Sequence, residues 1–315
     1  MAAHKRKKLS IIGSGFVGAT CAHWAASQEL ADIVLLDINE GSAKGKALDL
    51  AEAAPVMNFN SDIQGTSKYS DIANSDVIII TAGMARKPGM SRDDLLKTNA
   101  SIMKIVCQGI KEQAPNSIVI VVSNPLDAMA FVAKETLGFP PERVIGMAGI
   151  LDSARFKAFI AEAANVSVED VHAFVLGGHG DTMVPMPNHC SIGGAPLSSF
   201  LSEEKIESII ERTRKGGAEI VGLLKTGSAY YAPAASAVQM ATAILKNQHR
   251  VLPCAAFLQG EYGVKNLFLG VLCQLGGSGL EKVVELKLSP KEQSQLDSSV
   301  TAVQDLVSTL KNMDY

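Results

Sequence analysis

Three side chains in the middle of the chain have the chemistry needed to move a proton beside a bound anion. His179 stands in Gly177-Gly178-His179-Gly180-Asp181, framed by glycines that carry no competing side chain and let a ligand approach. Imidazole exchanges its proton near neutrality, so it can take one from an alcohol or return one to a developing alkoxide. Upstream lies Leu151-Asp152-Ser153-Ala154-Arg155. Asp152 can fix the tautomer of the imidazole and raise its proton affinity, and Arg155 can clamp a carboxylate through two parallel N–H bonds. A lone histidine is more often structural, and a lone Asp or Arg is usually a surface charge; the set carries the signal.

A second set is built for phosphate and ribose. Gly13-Ser14-Gly15-Phe16-Val17-Gly18 has the G-x-G-x-x-G form directly after an apolar run and directly before helix-compatible sequence. The first glycine allows a tight turn, the second lets the backbone approach a pyrophosphate, and the third packs helix on strand. Glycines in a plain turn would look the same, but Asp37 ends the next apolar run. An acid there accepts bonds from both ribose hydroxyls and repels a 2′-phosphate, so NAD is expected over NADP.

Two further segments sit where open α/β sheets place ligands. Thr81 to Arg92 follows a buried run and carries Arg86 and Arg92 on a loop with Pro88 and Gly89, which suits closure over an anionic substrate or, more blandly, a solvated basic loop. Val122-Ser123-Asn124-Pro125-Leu126-Asp127 runs from a strand into a turn. Asn124 either caps that turn or reaches a ligand.

These residues need a scaffold, and the alternation of apolar patterns supplies one. Leu9–Ile12, Ile33–Leu36, Val77–Ile80 and Ile118–Val122 read as strands, the last two buried on both faces, with helices over Phe16–Leu30 and Asp93–Gln113. The second helix is expected to bury Leu95, Ile102, Ile105, Val106 and Ile110. Strand, helix and strand in repetition predict an α/β fold: a Rossmann doubly wound parallel sheet over residues 1–146, followed by an α+β substrate domain over residues 147–315. In the second half a strand is expected over Val171–Leu176 and a helix over Glu203–Leu224, broken near Gly216-Gly217. Shorter strands are expected around Val251–Leu258, Leu267–Leu272 and Val283–Leu288. The last helix starts at a capping box, Ser289 and Glu292 around Pro290, and carries a stripe of Leu296, Val300, Val303, Val307 and Leu310.

Composition narrows the function classes. With 315 residues, 47% hydrophobic content and 19% charged, the chain can bury a large core and is not a disordered one. A net charge of -3 disfavours a nucleic-acid grip, and the basic cluster His4 to Lys8 reads as a solvated leader. Glycines interrupt the apolar run after that leader, so it is not read as a secretory signal, and no stretch is apolar enough for a membrane span. Five scattered cysteines without a Cys-x-x-Cys pair fit buried thiols in a reducing compartment, and the cytoplasm is expected. No metal site is expected.

In their order and spacing these motifs resemble the lactate/malate dehydrogenase family, specifically its lactate-dehydrogenase-like malate dehydrogenases, from Lys8 to about Leu310. Ala218-Glu219-Ile220-Val221 and Tyr231-Ala232-Pro233-Ala234 are also similar to the family's substrate-domain helices. The resemblance implies His179 as proton acceptor with Asp152 as its partner, Arg155 on the carboxylate beside the reacting carbon, and Arg92 on the reacting carbonyl. It further implies that Asn124 contacts substrate and nicotinamide ribose, that Asn99, Val122 and Ser123 complete the NAD site, and that Arg86 occupies the specificity position. Lactate enzymes of the family generally carry Gln at that position, so malate is the expected substrate, with a place in the tricarboxylic acid cycle. The implied assembly is a homo-oligomer, a tetramer in this branch. One departure stands out: Ser14, Phe16 and Val17 replace the Ala, Gln and Ile of many relatives, and Phe16 removes a polar contact from the loop. A lactate dehydrogenase and a non-catalytic NAD-sensing regulator are the competing readings.

Overall fold

Val77-Ile78-Ile79-Ile80 and Ile118-Val119-Ile120-Val121 have no polar side chain to turn toward water, and both lie buried along their whole length as neighbouring parallel strands. Around them the computed structural model, which describes residues 6–85, 91–313 and 315, lays out an alternating order. The first half reads β1 (Lys8–Ile12), α1 (Phe16–Ser27), β2 (Asp32–Leu36), α2 (Glu40–Met57), β3 (Ile63–Thr66), β4 (Val77–Ile80), α3 (Arg92–Gln113), β5 (Ile118–Val121), α4 (Leu126–Leu137) and β6 (Val144–Gly146). Helix α5 (Gly149–Ala164) leads into the short strands β7 (Val171–His172), β8 (Val175–Leu176), β9 (Val184–Pro185), β10 (Ser191–Ile192) and β11 (Ala195–Pro196). The chain then forms α6 (Glu203–Leu224), α7 (Tyr231–Leu245), β12 (Arg250–Gln259), β13 (Lys265–Gly276), β14 (Gly279–Val284) and α8 (Pro290–Lys311).

Strands β3, β2, β1, β4, β5 and β6 lie side by side in that order, all parallel. This is the doubly wound Rossmann arrangement, and the order reverses between β1 and β4. The sheet does not stop at residue 146. Strand β12 joins β6 antiparallel, with Ala255 opposite Gly146, and β13 and β14 extend the same sheet to nine strands among the described residues. A separate apolar cluster of Phe156, Ile160, Val171, Val175, Ile192 and Ile209 packs α5 and α6 over the short strands.

Four sequence expectations need correction. The run Val171–Leu176 is two strands in two different small sheets, because β7 pairs with β10 while β8 pairs with β9. Helix α6 is continuous through Gly216 and Gly217. The buried face of α3 is Leu96, Asn99, Ala100, Met103, Val106, Cys107 and Ile110; Val106 and Ile110 lie on it as expected, Ile102 is partly buried against the core, and Ile105 is exposed. The expected strand Val283–Leu288 begins and ends earlier, as β14. The capping box of α8 forms as expected: the Glu292 N–H donates to Ser289 Oγ and the Ser289 N–H donates to Glu292 Oε2.

Candidate active site

At the carboxyl end of β1 the chain turns at Gly13, with φ +105° and its N–H donating to Leu36 O at 2.8 Å. A Cβ on Gly18 would lie 1.8 Å from Gly13 O, so helix α1 can leave the turn this closely only with glycine there. A Cβ on Gly15 would meet nothing within 4 Å, leaving the start of α1 with an open face. Ser14 is buried, its Oγ lies 3.0 Å from Ser42 Oγ, and its carbonyl accepts from Lys46 Nζ. Asp37, just past β2, accepts the Ser14 N–H at Oδ2 (2.5 Å) and the Asn39 N–H at Oδ1 (2.9 Å). Burial pushes its carboxyl up, but those N–H donors, with Lys46 nearby, outweigh burial and hold it below the usual carboxylate value. Phe16 projects 72% exposed and stacks on Tyr230 with ring centroids 5.2 Å apart, bracing the segment before α7 against the glycine loop. A charged acid at the end of β2, an open Gly15 face and the N-terminus of α1 fit the ribose and pyrophosphate of a dinucleotide.

Across the crevice, α5 presents Asp152 and Arg155 one turn apart on the same face. Asp152 is buried; its Oδ2 lies 2.8 Å from His179 Nδ1 and its Oδ1 accepts from Arg155 Nη1 at 3.2 Å. A carboxylate only accepts, so Nδ1 carries the hydrogen and Nε2 is the atom left to exchange a proton. Burial pushes the imidazole pKa down, but the charge and hydrogen bond of Asp152, with Asp127 adding to them, outweigh it and raise the pKa above its ordinary value. Arg155 Nε is buried without a partner among the described residues, a donor waiting for an acceptor. Gly216 explains the continuous α6: a Cβ there would sit 3.0 Å from Arg155 Cδ, so the glycine makes room for the guanidinium stem.

The loop that carries His179 is held from three sides. The Gly177 N–H donates to Gly270 O (2.8 Å), the Gly178 N–H to Ser299 Oγ (2.8 Å), and the His179 N–H to Asp127 Oδ2 (2.9 Å). Between this loop and the sheet lies a cavity of about 470 Å³. Its lining includes Val17, Asn99, Val122, Ser123, Asn124, Arg155 and His179, with Arg214 and Lys215 of α6 at one side. Asn99 is a brace as well as a lining residue: its Nδ2 donates to Met84 O (3.1 Å) and Asn124 O (2.7 Å), and its Oδ1 accepts the Met84 N–H (2.8 Å). Ser123 Oγ ties the same turn to Ala82 O at 2.5 Å. Arg92 is not brought to the cavity; it lies exposed at the first position of α3, after the cap Ser91. Arg86 lies outside the described residues.

Two sequence models of one family meet along the chain. Residues 7–146 match the lactate/malate dehydrogenase NAD binding domain and residues 150–313 match the lactate/malate dehydrogenase alpha/beta C-terminal domain. The chain belongs to the lactate/malate dehydrogenase family. A malate dehydrogenase of Heliobacterium modesticaldum is 58% identical over 302 residues, covering 96% of this chain and 98% of that one. Among solved structures, malate dehydrogenase from Cryptosporidium parvum superposes with a TM-score of 0.95 at 47% identity, covering 98% of this chain and 100% of the other. The lactate dehydrogenase from the same organism, complexed with lactic acid and β-nicotinamide adenine dinucleotide, also gives 0.95, at 44% identity and 98% and 99% coverage. Backbone shape therefore does not separate the two substrate types within the family.

In the frame of that family, sequence reading overlooked Asp127, although the residue stood inside the quoted Val122–Asp127 motif. It is buried in the first turn of α4, and burial pushes its carboxyl up to about 6 even though the His179 N–H pulls the other way. No local pattern marks it: an acid in a first helical turn ordinarily serves the helix dipole. The roles of Ser299 on α8 and Gly270 on β13 were equally hidden, since both depend on contacts far along the chain.

Proposed function

We propose that the chain is an NAD-dependent malate dehydrogenase that interconverts (S)-malate and oxaloacetate. The observation that carries the reading is the buried Asp152 held 2.8 Å from His179 Nδ1 and bonded to Arg155, whose Nε is unpartnered among the described residues, with His179 and Arg155 both lining one cavity. In malate oxidation the hydroxyl proton passes to His179 Nε2 as the C2–H bond breaks and the carbonyl forms. NAD, held by Gly13–Gly18 and Asp37, supplies the hydride acceptor when bound. Asp152 stabilises the imidazolium that results, so the proton has a compensated place to rest. Arg155 binds the carboxylate next to the reacting carbon through Nε and Nη, which fixes the hydroxyl relative to His179. Arg92 would polarise the reacting carbonyl; for that role it must leave its exposed position at the start of α3.

Choice of substrate rests on Arg86. Malate and oxaloacetate carry two carboxylates and pyruvate one, so with Arg155 and Arg92 committed, Arg86 is the motif arginine available for the second anion. Pyruvate would leave that guanidinium desolvated and unpaired. We expect NADH turnover with oxaloacetate to exceed that with pyruvate strongly. Arg86→Gln should cost the oxaloacetate reaction ~3–5 kcal/mol, about two to four orders of magnitude in kcat/KM. A wild-type protein that prefers pyruvate is a lactate dehydrogenase, one that turns over neither is a sensor, and an Arg86→Gln variant with undiminished preference removes Arg86 from specificity.

The same reading places the enzyme in the cytoplasm as a homotetramer acting in the tricarboxylic acid cycle. Five buried, unpaired cysteines support a reducing compartment, and no helix of the described residues is long and apolar enough to cross a membrane. The exposed apolar side chains Leu48, Val56 and Met57 of α2 support association with further copies.

A further inference from the structure

Asp127 is a second buried carboxylate at the proton-transfer histidine, and nothing in the mechanism above uses it. Its Oδ2 accepts the main-chain N–H of His179 at 2.9 Å, while its Oδ1 is buried with no hydrogen-bond partner among the described residues. An anchor for one N–H does not require a charge; a neutral acceptor would serve without leaving an ionic oxygen unpaired in the interior. Packing brings it close for another reason: a Cβ on Gly178 would lie 3.3 Å from Asp127 Oδ2 and 2.5 Å from Val303 Cγ2, so α4 and α8 together press on the loop.

We propose that Asp127 is a positioning residue for proton transfer, holding the His179 main chain from α4 while its negative charge adds to that of Asp152 in stabilising the imidazolium. The proposal rests on reading His179 as the proton-transfer group. Two carboxylates then favour the charged imidazole, Asp152 at Nδ1 and Asp127 at the backbone, and Arg155 acts against them as the opposing cation. Among the described residues, the other charged groups that line the cavity with His179 are Arg214 and Lys215 of α6 and Asp181 of the loop itself. From α8 and β13 the loop meets Ser299, Val303 and Gly270, none of them ionisable in this range. Because burial brings the Asp127 carboxyl up to about 6, its charge is lost as pH falls through that value, and the two groups titrate as a pair.

The test is a ring titration of His179 in the ligand-free folded protein carrying 13Cε1-histidine, its signal assigned by its absence in His179→Asn. Asp127→Asn keeps an acceptor oxygen for the His179 N–H and removes the charge. We expect its His179 midpoint to fall by ~1 pH unit, with kcat/KM for oxaloacetate declining at correspondingly lower pH. An unchanged midpoint in the folded variant overturns the proposal and leaves Asp127 a structural anchor. Should the variant not fold, the wild-type curve decides: a second, smaller inflection near the Asp127 value of about 6 supports coupling, and a single step overturns it. Wild-type turnover of oxaloacetate, measured alongside, tests the dehydrogenase reading independently of either result.

Discussion

The turn at Gly13–Gly18 closes on itself and on the ends of the two strands beside β1, whereas the turn at Gly177–Gly180 closes on elements much farther along the chain. In the first, the nearest obstacle to a side chain at position 18 is the carbonyl of Gly13, five residues earlier, with Thr81 Oγ1 next at 2.8 Å. In the second, Gly178 is confined by Val303 of α8, and Gly177 by Ser299 of α8 and by its two hydrogen bonds to Gly270 of β13. The cofactor loop thus rests on its own backbone and on the strand ends beside it, at Leu36 and Thr81. The histidine loop takes its shape only once α4, α5, α8 and β13 have assembled around it. Binding a phosphate needs backbone N–H groups at a helix end, which local geometry supplies. Proton transfer needs one imidazole at a set distance from a carboxylate, and only tertiary packing sets such distances.

Substitutions should expose this contrast, beginning with the largest effect. Gly18→Ala must move backbone, since the new Cβ would meet a carbonyl oxygen at 1.8 Å. We expect a loss of about 3 kcal/mol, the upper end of overpacking, together with loss of NADH binding; thermal unfolding and NADH fluorescence titration report both. Unchanged stability would mean that the turn is not self-confined. His179→Asn should lower turnover by ~100-fold or more while NADH affinity stays near wild type. Loss of NADH binding in that variant would show the two regions to be coupled rather than separately built.

Gly178→Ala should cost ~1–3 kcal/mol, because its Cβ would lie 2.5 Å from Val303 Cγ2. Unlike the clash at Gly18, this one is with a side chain and should be relieved in Gly178→Ala combined with Val303→Ala. A double variant no more stable than additivity allows would place the confinement elsewhere. The smallest effect concerns Asp37. Asp37→Ser should narrow the preference for NADH over NADPH by roughly tenfold, the worth of one charge-assisted contact, with the oxaloacetate preference unaffected. Equal use of the two cofactors by the wild type would remove Asp37 from that role.

Proton linkage at His179 works in a stated direction. Its pKa is raised in the folded protein, so the acid form that oxaloacetate reduction requires persists to higher pH than in a free imidazole. Reduction should therefore decline, and malate oxidation rise, through a pH above the ordinary histidine value. A profile centred at or below that value would contradict a dominant Asp152.

Much of the site was legible before folding. Gly13–Gly18, Asp37, Asp152, Arg155 and His179 carry their chemistry in residue type and spacing, and the structure links Arg155 and His179, which line one cavity, through the buried Asp152 while Asp37 closes the glycine turn. Short continuous apolar runs alternating with longer helix-compatible stretches determined the order of β1, α1, β2, β4, α3 and β5, because strands buried on both faces and helices differ in length and local repeat. What the sequence by itself did not determine is whatever depends on a partner far along the chain. The split of Val171–Leu176 between two sheets, the exposure of Ile105 on α3, and the extension of the Rossmann sheet by β12, β13 and β14 are of that kind. So are the seat that Gly216 makes for Arg155 and the hold of Asp127, Ser299 and Gly270 on the histidine loop. Hydrogen-bonding capacity and helix propensity are properties of a residue and its near neighbours; burial, close approach and the charge felt by an imidazole are properties of what packs against it.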